Sequence, residues 1–212
     1  MDYGNQENQK QKRNHKKNKM NQTLINLTKA FIGESQARNR YTFYAKIAKK
    51  EGYEQIAAIF SHTADQEKAH AKRLFEHIQE LQKELGNNDS IKVDTETPTT
   101  YGTTIENLKA AIEGETYETE TMYPKFAQKA QDEGLNKIAI RLKSIAKAEE
   151  HHRERYQKLL GQLETGTIFK KEEKVIWICK ECGYTHEGEE APNLCPSCDH
   201  PQAYYQIKCE NY

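Results

Sequence analysis

Apolar residues recur every three or four positions in four long stretches of the chain, which is the pattern of amphipathic helices. The first two stretches predict helices over about 23–51 and 53–85, and a glycine follows each of them. The third helix is expected to begin near residue 103, and the fourth runs over about 135–163. Pro124 should kink the third helix, because a proline removes one helical hydrogen bond.

The remaining stretches lack this periodicity. Residues 87–103 form a long polar connection between the second and third helices, which marks a crossover between two hairpins. Residues 165–174 are a charged linker, after which Val175, Trp177 and Cys179 fall on alternate positions. Glycines and prolines then punctuate a small loop-and-hairpin module over 175–212. This last stretch has too little core to fold unaided, so a structural metal is expected there. Residues 1–19, with six Lys/Arg against two acidic residues and little that is apolar, predict a disordered basic tail.

Composition narrows the class of protein. The 32 basic and 32 acidic residues cancel, so neither a nucleic-acid partner nor a membrane surface is implied. No apolar run reaches the length of a membrane span and no signal peptide is visible, so a cytoplasmic location is expected. Five cysteines fall in the last 34 residues, and four of them form two C-x-x-C pairs. In a reducing compartment this spacing indicates metal rather than disulfides.

The helical part contains a duplication. A shift of 82 positions places residues 41–73 on 123–155 with 11 identities in 33 positions. A shift of 81 places Gly33-Glu34 on Gly114-Glu115 instead. Both copies carry Glu-x-x-His, as Glu67 with His70 and as Glu149 with His152, and residues three apart share one helix face. One such pair would more simply be a buried hydrogen bond, whereas two at matching positions indicate a metal site.

Six side chains are therefore expected to point into the bundle. They are Glu34, Glu67, His70, Glu115, Glu149 and His152. One Glu from each of two helices and Glu-x-x-His from each of the other two is the ligand set of ferritin-like di-iron and di-manganese bundles. Zinc would also bind these ligands. Spacing leaves Glu118 evenly balanced between a solvated charge and an extra ligand. Tyr41 and Tyr123 are core aromatics by default, but their hydroxyls could lie near the metals.

The second predicted site consists of four cysteines in two knuckles, Cys179, Cys182, Cys195 and Cys198. Four thiolates form a tetrahedral metal site. The spacing alone leaves open whether the metal is zinc in a structural ribbon or a single iron that carries one electron. Cys209 is left over and is expected to be a free thiol.

Several segments together resemble rubrerythrin, over roughly residues 20–207. They are Gly33–Tyr41, Gly114–Glu118 with Met122-Tyr-Pro124, Ala148–His152, and the Cys179–Cys198 module with Gly183-Tyr184. The resemblance implies an all-α, ferritin-like four-helix bundle over 20–164, with the long crossover, and a C-terminal rubredoxin-like Fe(Cys)4 domain. It implies an oxo-bridged pair of iron ions and adds Glu118 to the ligands, since in this family that carboxylate exchanges with the imidazole at His70. Asp199 departs from simple rubredoxins, which usually have glycine there.

The resemblance also implies an activity, the reduction of hydrogen peroxide to water. The electrons would come from NAD(P)H through a separate reductase or a rubredoxin-type donor and then through the Fe(Cys)4 site, within a head-to-tail homodimer or larger homo-oligomer. Glu118, His70, Tyr41 and Tyr123 would take part in catalysis, the tyrosines as proton or hydrogen-bond donors. Two alternatives remain, a ferroxidase built on the same bundle and a metal-binding protein without turnover.

Overall fold

The computed structural model describes residues 22–210. Helix α1 spans Gln22–Lys50 and pairs with helix α2, Glu54–Leu85, through a tight turn at Gly52, whose φ is 86°. Helix α5 spans Asn136–Glu164 and is preceded by the third helical segment of the bundle. The predicted four-helix bundle is thus confirmed, whereas the expected disordered tail at 1–19 lies outside the described residues.

The third helix is irregular just past Glu115, as expected, but the irregularity is a π-turn before Pro124 rather than a kink caused by the proline. Helix α3, Thr104–Tyr117, continues into a π-helical turn over Glu118–Met122 and then into helix α4, Tyr123–Asp132. The Tyr123 amide donates to the Glu118 carbonyl, five residues back. Pro124 therefore lies in the first turn of α4, where its missing N–H is tolerated. A π-turn inserts one residue into a helix, so the change of repeat offset from 81 to 82 was its sequence signal.

The crossover is attached to the bundle at both ends. The Gln82 side chain donates to the Asp89 carbonyl at 2.9 Å, and the buried Tyr44 hydroxyl donates to the Thr100 carbonyl at 2.8 Å. Thr103 and Glu106 then form a reciprocal capping box that starts α3. These contacts hold the crossover along one side of the bundle.

Two apolar layers fill the bundle, one on each side of a layer of buried carboxylates. The first contains Leu27, Leu74 and Leu142, and the second contains Phe60 and Leu108, all fully buried. Apolar packing on both sides stabilises the bundle without help from the polar layer. The chain can therefore place charged groups at mid-height, where they would otherwise destabilise a core.

The C-terminal module is a three-stranded antiparallel sheet in the order β2-β1-β3. Its strands are β1, Lys170–Cys179, β2, Thr185–Glu190, and β3, Tyr205–Ile207. Strand β1 begins inside the stretch expected to be linker, because Lys170 already pairs with Glu190 across a bulge. The buried Trp177 indole donates to the Gly188 carbonyl at 3.0 Å and closes the small core. The bundle-plus-knuckle architecture is confirmed, and the exact domain boundaries stay a prediction.

The two cysteine knuckles use the same backbone turn with different residues. The Gly183 amide donates to the Cys179 carbonyl, and the Asp199 amide donates to the Cys195 carbonyl, each at 2.9 Å. Gly183 has a φ of 77° and Asp199 a φ of 56°. Asp199 is the one non-glycine residue with positive φ among residues 22–210. Asp tolerates this conformation better than most side chains, so the departure from glycine preserves the knuckle.

The module packs against the turn that joins α1 and α2. The Lys180 ammonium donates to the Glu54 carbonyl at 3.1 Å, and the rings of Tyr53 and Phe169 stack with centroids 6.4 Å apart. This places the module at one end of the bundle. No helix between residues 22 and 210 is long and apolar enough to cross a bilayer.

Candidate metal centres

The two Glu-x-x-His pairs face each other across the bundle. The Glu149 carboxylate lies between the two imidazoles, with Oε1 2.8 Å from His70 Nδ1 and Oε2 2.7 Å from His152 Nδ1. Glu67 does the same from the other helix, at 3.2 Å from His70 and 3.0 Å from His152. Both carboxylates therefore reach both halves of the site.

The ligand atoms fall into two sets, in each of which they lie within 4.8 Å of one another. One set is Glu34, Glu67, His70 and Glu149, and the other is Glu67, Glu115, Glu149 and His152. Two carboxylates shared between the sets suit bridging ligands, and each set adds one terminal carboxylate and one imidazole. Four carboxylates balance two divalent cations, and mixed oxygen and nitrogen ligands suit iron or manganese. The structure thus brings together all six side chains predicted from the repeat.

Several of these buried ligand atoms have no hydrogen-bond partner within residues 22–210. They are Glu34 Oε2, Glu67 Oε1, Glu115 Oε2, both oxygens of Glu149 and His152 Nδ1. A buried polar atom without a partner costs about 1–3 kcal/mol, and more when it is charged. His152 Nδ1 approaches carboxylate oxygens closely without hydrogen-bond geometry, so these atoms are oriented toward a common point. The arrangement fits metal ions as the missing partners.

Without metal, burial and the neighbouring charges shift the pKa values of the buried carboxylates. Burial, followed by repulsion from Glu149 and Glu67, raises the pKa of Glu34 well above its ordinary value. Burial and repulsion likewise raise the pKa of Glu115. Burial also raises the pKa of Glu67, but the close imidazoles of His152 and His70 outweigh it and lower this pKa to about 2. Cations in the site would relieve the repulsion among the carboxylates.

Each terminal carboxylate is held by a tyrosine from another helix. The Tyr41 hydroxyl donates to Glu115 Oε1 at 2.6 Å, and the Tyr123 hydroxyl donates to Glu34 Oε1. Burial raises the pKa of both tyrosines well above the ordinary value, so both hydroxyls keep their protons. The expectation that these hydroxyls lie beside the site therefore agrees with the geometry.

Glu118 is placed differently from the other predicted ligands. It lies on the π-turn, 8% exposed, and belongs to neither ligand set. A cavity of about 570 Å³ borders it on the side of the crossover. His70 completes the first ligand set in this arrangement, and its side chain is 18% exposed against 2% for His152. A role for Glu118 as a ligand stays a prediction.

We predict that the stability of the metal-free protein falls as the pH rises from 6 to 9. Burial lowers the pKa of His152, but the close carboxylates of Glu149 and Glu67 outweigh it and raise this pKa to about 8. The stabilisation is therefore complete below the unfolded value of about 6.5 and is lost as the pH passes 8, a loss of about 2 kcal/mol. Urea unfolding after chelation, at pH 6 and pH 9, measures it. The metal-loaded protein, in which cations replace the proton, is the control, and a metal-free protein that gained stability with pH would contradict the assignment.

The four cysteines of the module form the second site. Cys179 and Cys198 sulfurs are 3.8 Å apart, those of Cys182 and Cys195 are 3.6 Å apart, and all four lie within 4.8 Å of one another. A tetrahedral site with metal–sulfur bonds of about 2.3 Å has sulfur–sulfur edges of about 3.8 Å. These separations are far longer than a disulfide of about 2.05 Å. Cys209 is exposed and lies outside the cluster.

A ferritin-like bundle with a dinuclear carboxylate and histidine site, joined to a four-cysteine knuckle, defines a class of two-centre iron protein. The family model for rubrerythrin matches residues 26–160, and the model for the rubrerythrin rubredoxin-like domain matches residues 177–206. The chain belongs to the rubrerythrin family. Its cofactors are accordingly two iron ions in the bundle and one in the Fe(Cys)4 site, and it is an oxidoreductase.

Individual relatives match over nearly their whole length. The chain is 48% identical to rubrerythrin-1 of Clostridium acetobutylicum over 90% of this chain and 96% of that protein. It is 44% identical to rubrerythrin of Porphyromonas gingivalis over 93% of this chain and 98% of that protein. Among solved structures, the fully reduced, all-ferrous state of nigerythrin matches with a TM-score of 0.58 and 33% identity, over 88% of this chain and 86% of that one.

Proposed function

We propose that the protein reduces hydrogen peroxide to water at the bundle site, with electrons that arrive through the Fe(Cys)4 site. The observation that carries the proposal is the presence of both sites in one chain, the first with two shared carboxylates. When bound, the two irons together supply the two electrons that convert one peroxide and two protons into two waters. The cysteine site then returns electrons one at a time from NAD(P)H, by way of a reductase or a rubredoxin-type donor.

The side chains of the two ligand sets would hold the ions, and the two tyrosines would supply protons or hydrogen bonds. Glu67 and Glu149 would bridge the ions, while Glu34, Glu115, His70 and His152 would complete the two ligand sets. Tyr41 and Tyr123 hold protonated hydroxyls at Glu115 and Glu34, where a proton or hydrogen bond can be given to a departing oxygen. Glu118 and His70 would exchange as ligands when the charge of the metal pair changes. The attached electron-carrying site favours this reductive role over a ferroxidase, which needs no external electrons.

Two measurements on protein purified without added metal test the proposal. We expect a red chromophore from oxidised Fe(Cys)4, and peroxide consumption coupled to NAD(P)H oxidation in the presence of a reductase. The control replaces peroxide by Fe²⁺ and O₂ and records iron oxidation. A colourless protein, or rapid Fe²⁺ oxidation without peroxide turnover, would contradict the proposal and favour a zinc ribbon or a ferroxidase.

We further propose a head-to-tail homodimer in the cytoplasm, in which each cysteine module serves its partner's bundle site. The module contacts its own bundle at Glu54, and Glu67 lies thirteen residues further along α2. At 1.5 Å per residue this separates the docking point from the bundle site of the same chain by about 20 Å. Electron transfer weakens steeply with distance, so a module supplied by a partner shortens the path.

Hybrid dimers test transfer between subunits. Cys179→Ser keeps the bundle site and Glu149→Ala keeps the cysteine site, so each homodimer should be inactive. Unfolding and refolding an equal mixture should restore roughly a quarter of the wild-type rate, since half the dimers are hybrids and one of their two bundle sites is served. Refolded wild-type protein is the control. Well-formed hybrids that stay inactive would show that electrons move within one chain.

A further inference from the structure

A cavity beside the bundle site connects Glu118 with the crossover. Its volume is about 570 Å³, and its wall includes Gly33, Gly114 and Pro98 as well as Glu118. A β-carbon added at Gly33 would lie 3.9 Å from Glu118 Oε1, so this carboxylate points toward α1 at the glycine. The cavity therefore offers space into which the Glu118 side chain can turn.

Arg40 is a half-buried cation on the wall of the same cavity. Its Nε and Nη1 atoms are buried and form no hydrogen bond within residues 22–210. Arg40 lies seven residues after Gly33, two helical turns along the same face of α1. Arg40, Gly33 and Glu118 all line the same cavity, so the Arg40 side chain and the Glu118 carboxylate share one space.

Other contacts fix the position of the guanidinium. It lies near the Tyr44 hydroxyl, where its positive charge opposes the rise in the pKa of Tyr44 that burial causes, and this hydroxyl donates to the Thr100 carbonyl of the crossover at 2.8 Å. Its central carbon also lies 6.0 Å from the centre of the Tyr41 ring. Arg40 is thus anchored by the bundle and the crossover, while two of its N–H groups stay available to an acceptor.

The cavity also contains anionic groups that could accept these N–H groups. Three carboxylates line the cavity, and Asp94 and Glu96 are exposed on the crossover whereas Glu118 is buried. Burial and repulsion from Glu149 and Glu67 raise the pKa of Glu118, and Arg40 is the largest influence in the opposite direction. Cations bound in the site would cancel the repulsion but leave a released carboxylate buried, and a buried charge without a partner is strongly destabilising.

We propose that Arg40 is a positioning residue that receives the Glu118 carboxylate when it leaves the metal, with the cavity as the space it occupies. The inference rests on the proposed exchange of Glu118 and His70. Arg40 stabilises the released carboxylate and thereby favours the reduced pair, in which His70 is the ligand. The Arg40 side chain would then influence the oxidation state without touching metal or peroxide.

A double-mutant cycle on the midpoint potential of the bundle irons tests this pairing. Arg40→Gln should shift the ratio of oxidised to reduced site about tenfold toward the oxidised form, a coupling typical of residues in contact. In the Glu118→Ala background the same change should have no effect. Arg40→Lys keeps the charge and should recover much of the loss, and Arg38→Gln, an exposed arginine two residues away, is the matched control. Iron content and the red chromophore verify that each variant folds.

A second readout follows the ligand rather than the electrons. His70 presents Nδ1 to the site, so a His70 bound to metal keeps its proton on Nε2. In Co²⁺-loaded protein this N–H proton gives a paramagnetically shifted NMR signal, and the corresponding signal of His152 is the internal reference. This His70 signal should weaken in Arg40→Gln and return in Arg40→Gln with Glu118→Ala. If Arg40→Gln shifted the midpoint potential equally with and without Glu118, Arg40 would act only through its charge and the Arg40–Glu118 pairing would be wrong. Coupling of Arg40 to Glu96 instead of Glu118 would also overturn it. If Glu118→Ala alone changed neither potential nor ligation, the ligand exchange of the proposed function would itself be wrong.

Discussion

Replacing Glu149 by alanine is expected to release both irons from the bundle and to reduce peroxide turnover to background. The two oxygens of Glu149 approach the two histidines at 2.8 and 2.7 Å, and this residue belongs to both ligand sets. Its loss leaves Glu67 as the one shared carboxylate and places two cations beside each other with less negative charge between them. Iron per chain after gel filtration and the NAD(P)H-coupled rate measure the effect.

Two neighbouring substitutions make this prediction specific. Glu150→Ala changes an exposed carboxylate on the next residue and should leave iron content and rate unchanged. Glu115→Ala removes a terminal carboxylate of one set and should weaken one iron more than the other. The red chromophore should persist in all three variants, because the cysteines fold in a separate module. Retention of two irons in Glu149→Ala would refute its role as a bridge.

Cys179→Ser is expected to abolish turnover with NAD(P)H and reductase while sparing the chemistry of the bundle. Cys179 is buried and its sulfur lies 3.8 Å from that of Cys198, so its loss opens the four-thiolate site. The bundle ligands come from different elements of the chain and stay in place. Protein whose bundle irons are reduced beforehand should still consume about one peroxide per site, since the pair supplies two electrons.

Cys209→Ser provides the matched control, because Cys209 is an exposed thiol outside the cluster. It should retain both the chromophore and the coupled rate. Normal NAD(P)H-coupled turnover in Cys179→Ser would mean that electrons bypass the cysteine site. Loss of the single turnover as well would mean that the cysteine module contributes more than electron transfer.

The convergence of the six side chains could be predicted from the sequence because a duplicated pattern constrains them twice. Glu67 with His70 and Glu149 with His152 each fix one helix face, and helix geometry then forces the pairs to converge. Glu34 and Glu115 follow from the same repeat. The four cysteines needed only their spacing. The spacing of these side chains is a local property of the sequence, so it could be predicted without a structure.

The features that could not be predicted from the sequence depend on contacts between distant segments of the chain. The change of the repeat offset from 81 to 82 was a sign of the π-turn at Glu118–Met122. Pro124, however, offered a more familiar explanation for an irregular helix. Strand β1 begins at Lys170 because Glu190 is there to pair with it, and pairing across a sheet is not a local property. Arg40 looks like any polar position of an amphipathic helix until the crossover covers it.

We propose that peroxide is reduced in the bundle and that the cysteine site supplies the electrons. An anaerobic stopped-flow experiment tests this by mixing fully reduced protein with one equivalent of hydrogen peroxide per bundle site and following both centres optically. We expect the bundle irons to be oxidised first, peroxide to disappear one for one, and the red colour of oxidised Fe(Cys)4 to appear only afterwards. Red colour that develops before or without oxidation of the bundle irons would contradict it.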